Sequence, residues 1–202
     1  MKTTNLVSFF LLTTLVLTGS CDRIHNKNGH QSANPFDTTK FETQALSDAD
    51  RSLLAAANGK TVKPIEIDAL AEQINAATGK LYVYCFWNLK NEASTNTVTS
   101  LNELSTKFDS TKLKIVYVNM LGYQKVEDVN VFIREHQLTD ETLILEKADI
   151  SLFSKKIRKD FIGITHLPII LMVNKAEETM MLFNKGMDEK ELLALVNPLV
   201  IN

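Results

Sequence analysis

Few side chains in this 202-residue chain could carry nucleophilic or redox chemistry. The sequence contains two cysteines, Cys21 and Cys85. Cys85 lies in the apolar run "KLYVYCFW" at 80–87, where a buried and inert thiol is the usual outcome and a reactive single thiol the rarer one. Disulfide exchange requires a thiolate that attacks a sulfur, and no cysteine follows Cys85. The sequence therefore identifies no catalytic residue.

Serine and histidine side chains give weaker candidates. Ser94 needs a base held nearby to become a nucleophile, and neither a Gly-x-Ser-x-Gly motif nor a matched histidine and aspartate accompanies it. His25 and His30 could bind a metal ion, but a solvated linker explains two histidines in a polar segment better. His166 lies two residues before Pro168 in a predicted loop, and a loop histidine is more often a polar surface residue than a catalytic one. We expect neither a metal nor a cofactor.

Composition favours a folded globular body without a nucleic-acid partner. Hydrophobic residues make up 45% of the chain and charged residues 23%, which is typical of proteins with a packed core. The formal net charge is -2. The sequence has no dense run of lysine and arginine that would neutralise several phosphates, so nucleic-acid binding has little support.

The N-terminal segment predicts export and lipid anchoring. Lys2 precedes the apolar run at 6–17, which is long enough for a secretory signal and short for a spanning helix. The run ends in "LTGSC", which resembles the lipobox of bacterial lipoproteins. That resemblance implies a signal peptide at 1–20, acylation of Cys21 and a lipid bilayer as partner, with a tether over 21–46. An ordinary secretory signal and an uncleaved anchor helix are the alternatives.

Apolar patterning in the middle of the chain predicts an α/β fold. The runs at 80–87 and 112–120 are apolar at nearly every position, as expected of central strands covered on both faces. Between them, apolar residues recur at near-helical spacing. Strand, helix and strand then form a right-handed crossover.

Two helices and an edge strand are predicted upstream of these central strands. A short helix begins after Ser47 as N-cap. The strand at 61–67 belongs at an edge because Pro64 cannot donate a ladder hydrogen bond. The second helix runs from Asp68 as N-cap to Gly79 as its stop.

Downstream, the pattern predicts a second crossover and then a hairpin. A helix is expected at 125–137 and a short strand at 142–145, followed by a helix at 150–160. Two apolar runs, "FIGITHLPIILMVNK" and "TMMLFNKG", then form an antiparallel pair. The final helix begins at Asp188 as its cap.

This order of elements over 61–202 resembles exported thioredoxin-fold proteins of the TlpA/ResA-like family. The strand that ends in Phe86-Trp87, the inserted helix and strand within 121–145, and the proline that begins the late hairpin carry the resemblance. It implies a thioredoxin-like α/β/α sandwich with a central mixed sheet, formed by the domain at 47–202. It also makes Pro168 the candidate cis-proline.

The family's Cys-x-x-Cys motif is absent from this chain. Its two positions fall on Asn91 and Ser94, so both sulfurs are missing. Asn91 is instead suited to cap the following helix, and Glu92 complements the helix dipole. The resemblance further implies an exposed backbone at Leu167 that pairs with an extended peptide, with His166 at the rim. The residues of this predicted peptide groove are Trp87, Asn91, Leu167 and Pro168.

Three functional hypotheses follow from these patterns. The leading one is a redox-inactive, lipid-anchored module of the bacterial cell envelope, facing the periplasm or the surface, that binds a partner protein or peptide. The rival is a TlpA/ResA-like thiol-disulfide oxidoreductase working through the single thiol of Cys85 or through a partner's thiols. The third is a purely structural domain of a neighbouring envelope assembly.

Overall fold

The computed structural model of the protein describes most of the predicted domain. The described residues are 46–56, 62–121, 124–145, 155–157 and 166–200. All of them belong to a single unit, Pro35–Asn202. The predicted signal peptide, Cys21, His25, His30 and most of the tether lie outside these residues, as does most of the helix predicted at 150–160. Within the described ranges, no helix has the length and apolarity needed to cross a membrane.

One mixed sheet organises the described part of the chain. Its strands are β1 (Val62–Ile65), β2 (Leu81–Trp87), β3 (Leu113–Asn119), β4 (Glu141–Leu145), β5 (Ile169–Asn174) and β6 (Thr179–Phe183). Their spatial order is β1-β4-β3-β2-β5-β6. The first four are mutually parallel, and β5 is antiparallel to both of its neighbours, β2 and β6. The predictions of two adjacent central strands, a late hairpin and an edge position for the Pro64 strand are confirmed.

Helices connect these strands at nearly the predicted places. They are α1 (Asp48–Ala56), α2 (Ile67–Asn75), α3 (Glu92–Ser105), α4 (Val126–Glu135) and α5 (Glu189–Val200), with a 3-10 turn at Lys175–Glu177 between β5 and β6. Ser47 caps α1, since its Oγ accepts from the Asp50 N–H at 3.1 Å. Asp188 caps α5 through the Glu191 N–H at 2.8 Å. Both caps are as predicted.

The limits of α2 differ from the prediction. The N-cap is Glu66, without a side-chain cap bond, so Asp68 lies inside the first turn. Ile67, the first helical residue, packs partly buried against the core. Asp68 complements the helix dipole from within the first turn. The helix ends at Asn75, and Gly79 adopts a positive φ of 77° in the turn that follows.

The sheet is covered on both faces, which gives an α/β/α sandwich. Alternate residues of β2 divide between two buried clusters: Cys85 and Trp87 face α3, α4 and α5, while Tyr84 and Phe86 face α2. Both central strands are buried at nearly every position, as their continuous apolar runs predicted. This packing fixes the carboxyl ends of β2 and β3, where the candidate site lies.

Candidate functional site

The loop from β2 to α3 is fixed by contacts to the neighbouring loop after β3. The Met120 N–H donates to the Trp87 carbonyl at 2.8 Å. The Leu89 N–H donates to Oε1 of Gln124 at 2.6 Å, and Nε2 of the same side chain donates to the Leu121 carbonyl at 2.9 Å. Gln124 thus bridges the two loops at the carboxyl ends of β2 and β3.

Asn91 uses both ends of its amide. Its Oδ1 accepts a hydrogen bond from the Ser94 N–H at 3.1 Å, which confirms it as the N-cap of α3. Its Nδ2 donates to the Leu167 carbonyl at 2.8 Å. One side chain therefore ties the first turn of α3 to the loop before Pro168. The cap is predictable from the sequence, whereas the contact with Leu167 is not.

A second asparagine, Asn184, also donates hydrogen bonds to the loop before Pro168. The Leu167–Pro168 peptide bond is cis, in agreement with Pro168 as the candidate cis-proline. Nδ2 of Asn184 donates to the carbonyl of His166 at 2.6 Å and to that of Pro168 at 3.2 Å. The three consecutive carbonyls of 166–168 therefore accept from two asparagine side chains. No pattern in the sequence pointed to Asn184.

The loop after β6 packs closely on the first turns of α3. A Cβ on Gly186 would lie 3.0 Å from the Cβ of Ala93, so a side chain at 186 would crowd the helix. The Met187 N–H donates to Oγ1 of Thr97 at 3.0 Å. Three loops therefore surround the start of α3: those before α4, before β5 and after β6.

Comparisons with known proteins establish the fold. No protein-family model and no curated protein matches the sequence. Among solved structures, the thioredoxin-related protein from Neisseria meningitidis serogroup B is similar at a TM-score of 0.51 and 9% identity, over 63% of this chain and 90% of that chain. A DsbF homologue from Corynebacterium diphtheriae matches at a TM-score of 0.51 and 13% identity, over 62% and 76%. A thiol-disulfide isomerase from Corynebacterium glutamicum matches at 0.50 and 13%, over 62% and 83%.

The chain has the thioredoxin fold. The predicted α/β/α sandwich with a mixed sheet is thereby confirmed, and α4 and β4 occupy the place expected of the inserted helix and strand. In this thioredoxin fold, the loop from β2 to α3 and the loop before Pro168 meet through the Asn91 contact.

The four residues of the predicted groove are close to this meeting point but largely buried. Trp87 is 0% exposed, Leu167 is 3% exposed and Pro168 is also buried. Only Asn91 of the four is partly accessible. The expectation of an exposed backbone at Leu167 is wrong, because the residue is covered and its carbonyl already accepts from Asn91.

Cys85 is enclosed in the core of the thioredoxin fold. The residue is 0% exposed and pairs in register with Tyr117 of β3. Burial raises the pKa of its thiol far above the ordinary range, so the thiolate that disulfide exchange requires is strongly disfavoured. The structure places no part of this sulfur within reach of a partner.

Several polar atoms near the start of α3 are buried without hydrogen-bond partners among the described residues. They are Nε1 of Trp87, Oδ1 of Asn88, Oγ of Ser94 and both amide atoms of Asn119. Trp87 and Asn119 lie side by side in register. Because Ser94 is 0% exposed and its Oγ contacts no base there, its geometry does not match that of an activated nucleophile. Nor do the described residues include a group of His, Cys, Asp or Glu side chains that could hold a metal ion.

Proposed function

We propose that the protein is a TlpA/ResA-like thioredoxin-fold module of the bacterial cell envelope that binds a partner polypeptide and does not itself exchange disulfides. The observation that carries the proposal is the structural role of the two motif positions. Asn91 caps α3 and bonds to Leu167, and Ser94 is fully buried. At the places where a dithiol would serve catalysis, the Asn91 side chain joins parts of the fold and the Ser94 side chain is enclosed.

The oxidoreductase alternative depends on Cys85 or on a partner's thiols. A thiol that attacks a disulfide must reach the target sulfur, and a lone thiol lacks an internal group to resolve the mixed disulfide. Cys85 is 0% exposed, and burial raises the pKa of its thiol. Both properties oppose a catalytic role for Cys85.

The contact surface for a partner lies above the buried residues of the predicted groove. Lys90, Glu92 and His166 are exposed around the partly accessible Asn91. The carbonyls of 166–168 already accept from asparagine side chains. Recognition therefore relies on side-chain contacts rather than on a peptide strand that pairs with the Leu167 carbonyl.

Lipid anchoring at Cys21 is the second part of the proposal. The apolar run at 6–17 and the small residues before Cys21 support it. A diacylglycerol on the Cys21 sulfur, with a polar tether behind it, would hold the domain at a bilayer surface. Intact-mass analysis of protein recovered from the envelope tests this: the expected product begins at Cys21 and carries acyl chains, whereas an unmodified Cys21 contradicts it.

Site-specific photo-crosslinking tests partner binding. A photoreactive residue replaces Lys90 or His166 in the full-length chain, and Lys112 serves as the control because it is also an exposed lysine but lies beside the amino end of β3. We expect Lys90 and His166 to yield the same protein adduct and Lys112 to yield none. The proposal fails if neither position gives an adduct, or if Lys112 captures the same protein equally well.

A further inference from the structure

The two edge strands of the sheet differ in how they are protected against pairing with another chain. β1 forms one edge of the described sheet and β6 forms the other. β1 contains Lys63 and Pro64. A charge on an edge strand, and a proline that cannot donate a ladder hydrogen bond, both discourage an added strand. β6 has the sequence TMMLF, with neither a charge nor a proline, so it is the edge that is chemically suited to pairing.

The side chains of β6 are accessible at this edge on both faces of the sheet. The strand pairs with β5 in a continuous register from Thr179 to Phe183. β5 is buried at all six positions, whereas all five residues of β6 are partly exposed. Met181 packs against the cluster on the α5 side, and Met180 and Leu182 pack against the cluster on the α2 side. A strand added beside β6 would therefore cover apolar side chains on both faces.

Charges of opposite sign flank the two ends of β6. Glu177 and Glu178 are exposed just before the strand, and Lys185 is exposed just after it. If two β6 strands pair antiparallel about Met181, the end with the glutamates lies beside the lysine end of the other copy. A parallel pair would bring like charges together at both ends. The flanking charges therefore favour antiparallel pairing, which is the arrangement that a two-fold axis generates.

Contacts within the chain are compatible with this use of the charges. Lys185 pairs with Glu191 at 2.7 Å, and both side chains remain about half exposed. An ammonium group has three donors, so Lys185 can contact a second carboxylate. Lys175, the basic residue beside Glu177, donates to Oδ1 of Asn75 at 3.0 Å. Exposed ion pairs of this kind are weak, so a second copy competes with them at little cost.

We infer that two copies of this chain associate through antiparallel pairing of their β6 strands, which joins the two sheets into one. A second copy fits this edge because its own β6 supplies an uncharged apolar strand and the opposite charge at each end. The five residues of the strand extend over roughly 17 Å. An interface of that length is small, so the association is reversible. The inference does not depend on the proposed binding surface around Asn91.

Disulfide trapping of the full-length chain in detergent tests the register. The chain carries Cys21→Ser, and its remaining native thiol, Cys85, is 0% exposed. Met181→Cys places each new thiol opposite its counterpart in the second copy, within the reach of a disulfide, so mild oxidation should give a covalent dimer. Thr179→Cys is the matched control in the same strand, because its counterpart lies opposite Phe183, roughly 13 Å along the pair.

We expect at least about 10-fold more covalent dimer from Met181→Cys than from Thr179→Cys, because a disulfide requires the two Cα atoms to lie within about 7 Å. Emission of the buried Trp87 reports in the same samples that each variant is folded. Equal yields from the two positions, or no dimer from folded Met181→Cys, would overturn the inference.

Charge reversal tests the contact between the strand ends by sedimentation over a concentration series. Glu177→Lys alone and Lys185→Glu alone should each weaken self-association about 10-fold, since each places like charges together at both ends of the pair. The double variant exchanges the two charges and should recover the affinity. Glu135→Lys makes the same change at the exposed end of α4 and should have no effect. A natural chain that stays monomeric throughout, or a double variant without recovery, would contradict the inference.

Photo-crosslinking in the cell envelope distinguishes a second copy from another protein at this edge. A photoreactive residue replaces Met181 in the full-length chain, and the expected adduct has twice the mass of the chain. An adduct with a different protein and none with a second copy would contradict self-association through β6.

Discussion

Replacement of Asn91 separates the two contacts that its side chain makes. Asn91→Ala removes the N-cap acceptor of α3, which costs about 1 kcal/mol. It also removes the donor to the Leu167 carbonyl, a bond of 2.8 Å in a residue that is 3% exposed, at a cost of about 1–3 kcal/mol. The expected loss in the free energy of unfolding is therefore about 2–4 kcal/mol. Asn91→Ser keeps a cap acceptor and loses only the donor, so its loss should be smaller by about 1 kcal/mol.

Urea denaturation followed by tryptophan fluorescence measures these losses. The chain has one tryptophan, Trp87, which is fully buried in the fold, so its emission reports unfolding. Asn96→Ala is the matched control because Asn96 is exposed on the same helix; its effect should stay within about 0.5 kcal/mol. A loss below about 0.5 kcal/mol for Asn91→Ala, or equal losses for the alanine and serine variants, would refute the account of two separate contacts.

Three further predictions follow from burial and close packing. Gly186→Ala places a Cβ 3.0 Å from that of Ala93, and it should lower the free energy of unfolding by about 1 kcal/mol; an unchanged urea midpoint would contradict this. Burial raises the pKa of the Cys85 thiol, so in a Cys21→Ser chain, whose one remaining thiol is Cys85, a thiol reagent should react only after unfolding. Because unfolded thiols ionise near pH 8.5, the stability of this chain should fall as the pH rises above that value, and less steeply once Cys85→Ala is added. Immediate reaction of the native Cys21→Ser chain would contradict burial of Cys85. Burial also raises the pKa of the Asp140 carboxyl. The stability that the protonated carboxyl contributes to the folded chain is therefore lost as the pH rises above about 4. Asp140→Asn should therefore raise Tm at pH 7 and have little effect at pH 3, and a lower Tm at pH 7 would contradict this.

Much of the fold could be predicted because its signals are local. The continuous apolar runs of β2 and β3 require cover on both faces, and the structure buries them accordingly. Pro64 cannot donate a ladder hydrogen bond, and its strand lies at the sheet edge. Asn91, before an acidic first turn, is a helix cap by short-range chemistry alone. Each of these features depends on residues within one element or its immediate neighbours.

The contacts that close the candidate site could not be predicted in this way. The bond from Asn91 to Leu167 joins residues 76 apart in sequence, and Asn184 is 16 residues from the Pro168 carbonyl that it contacts. No pattern of hydrophobicity or spacing encodes such pairs, since they depend on how loops meet once the sheet has formed. The same limit explains the error at Leu167, because its exposure is decided by side chains from other loops.

Insulin disulfide reduction tests whether the natural chain lacks disulfide-exchange activity. The full-length chain and its Cys85→Ser variant are compared with a double variant, Asn91→Cys with Ser94→Cys, which places two thiols at the start of α3, where the helix dipole favours a thiolate. We expect background turnover for the natural chain and for Cys85→Ser, and clear turnover only for the double variant. Turnover by the natural chain that disappears in Cys85→Ser would contradict the account, because Cys85 would then be an accessible, working thiol.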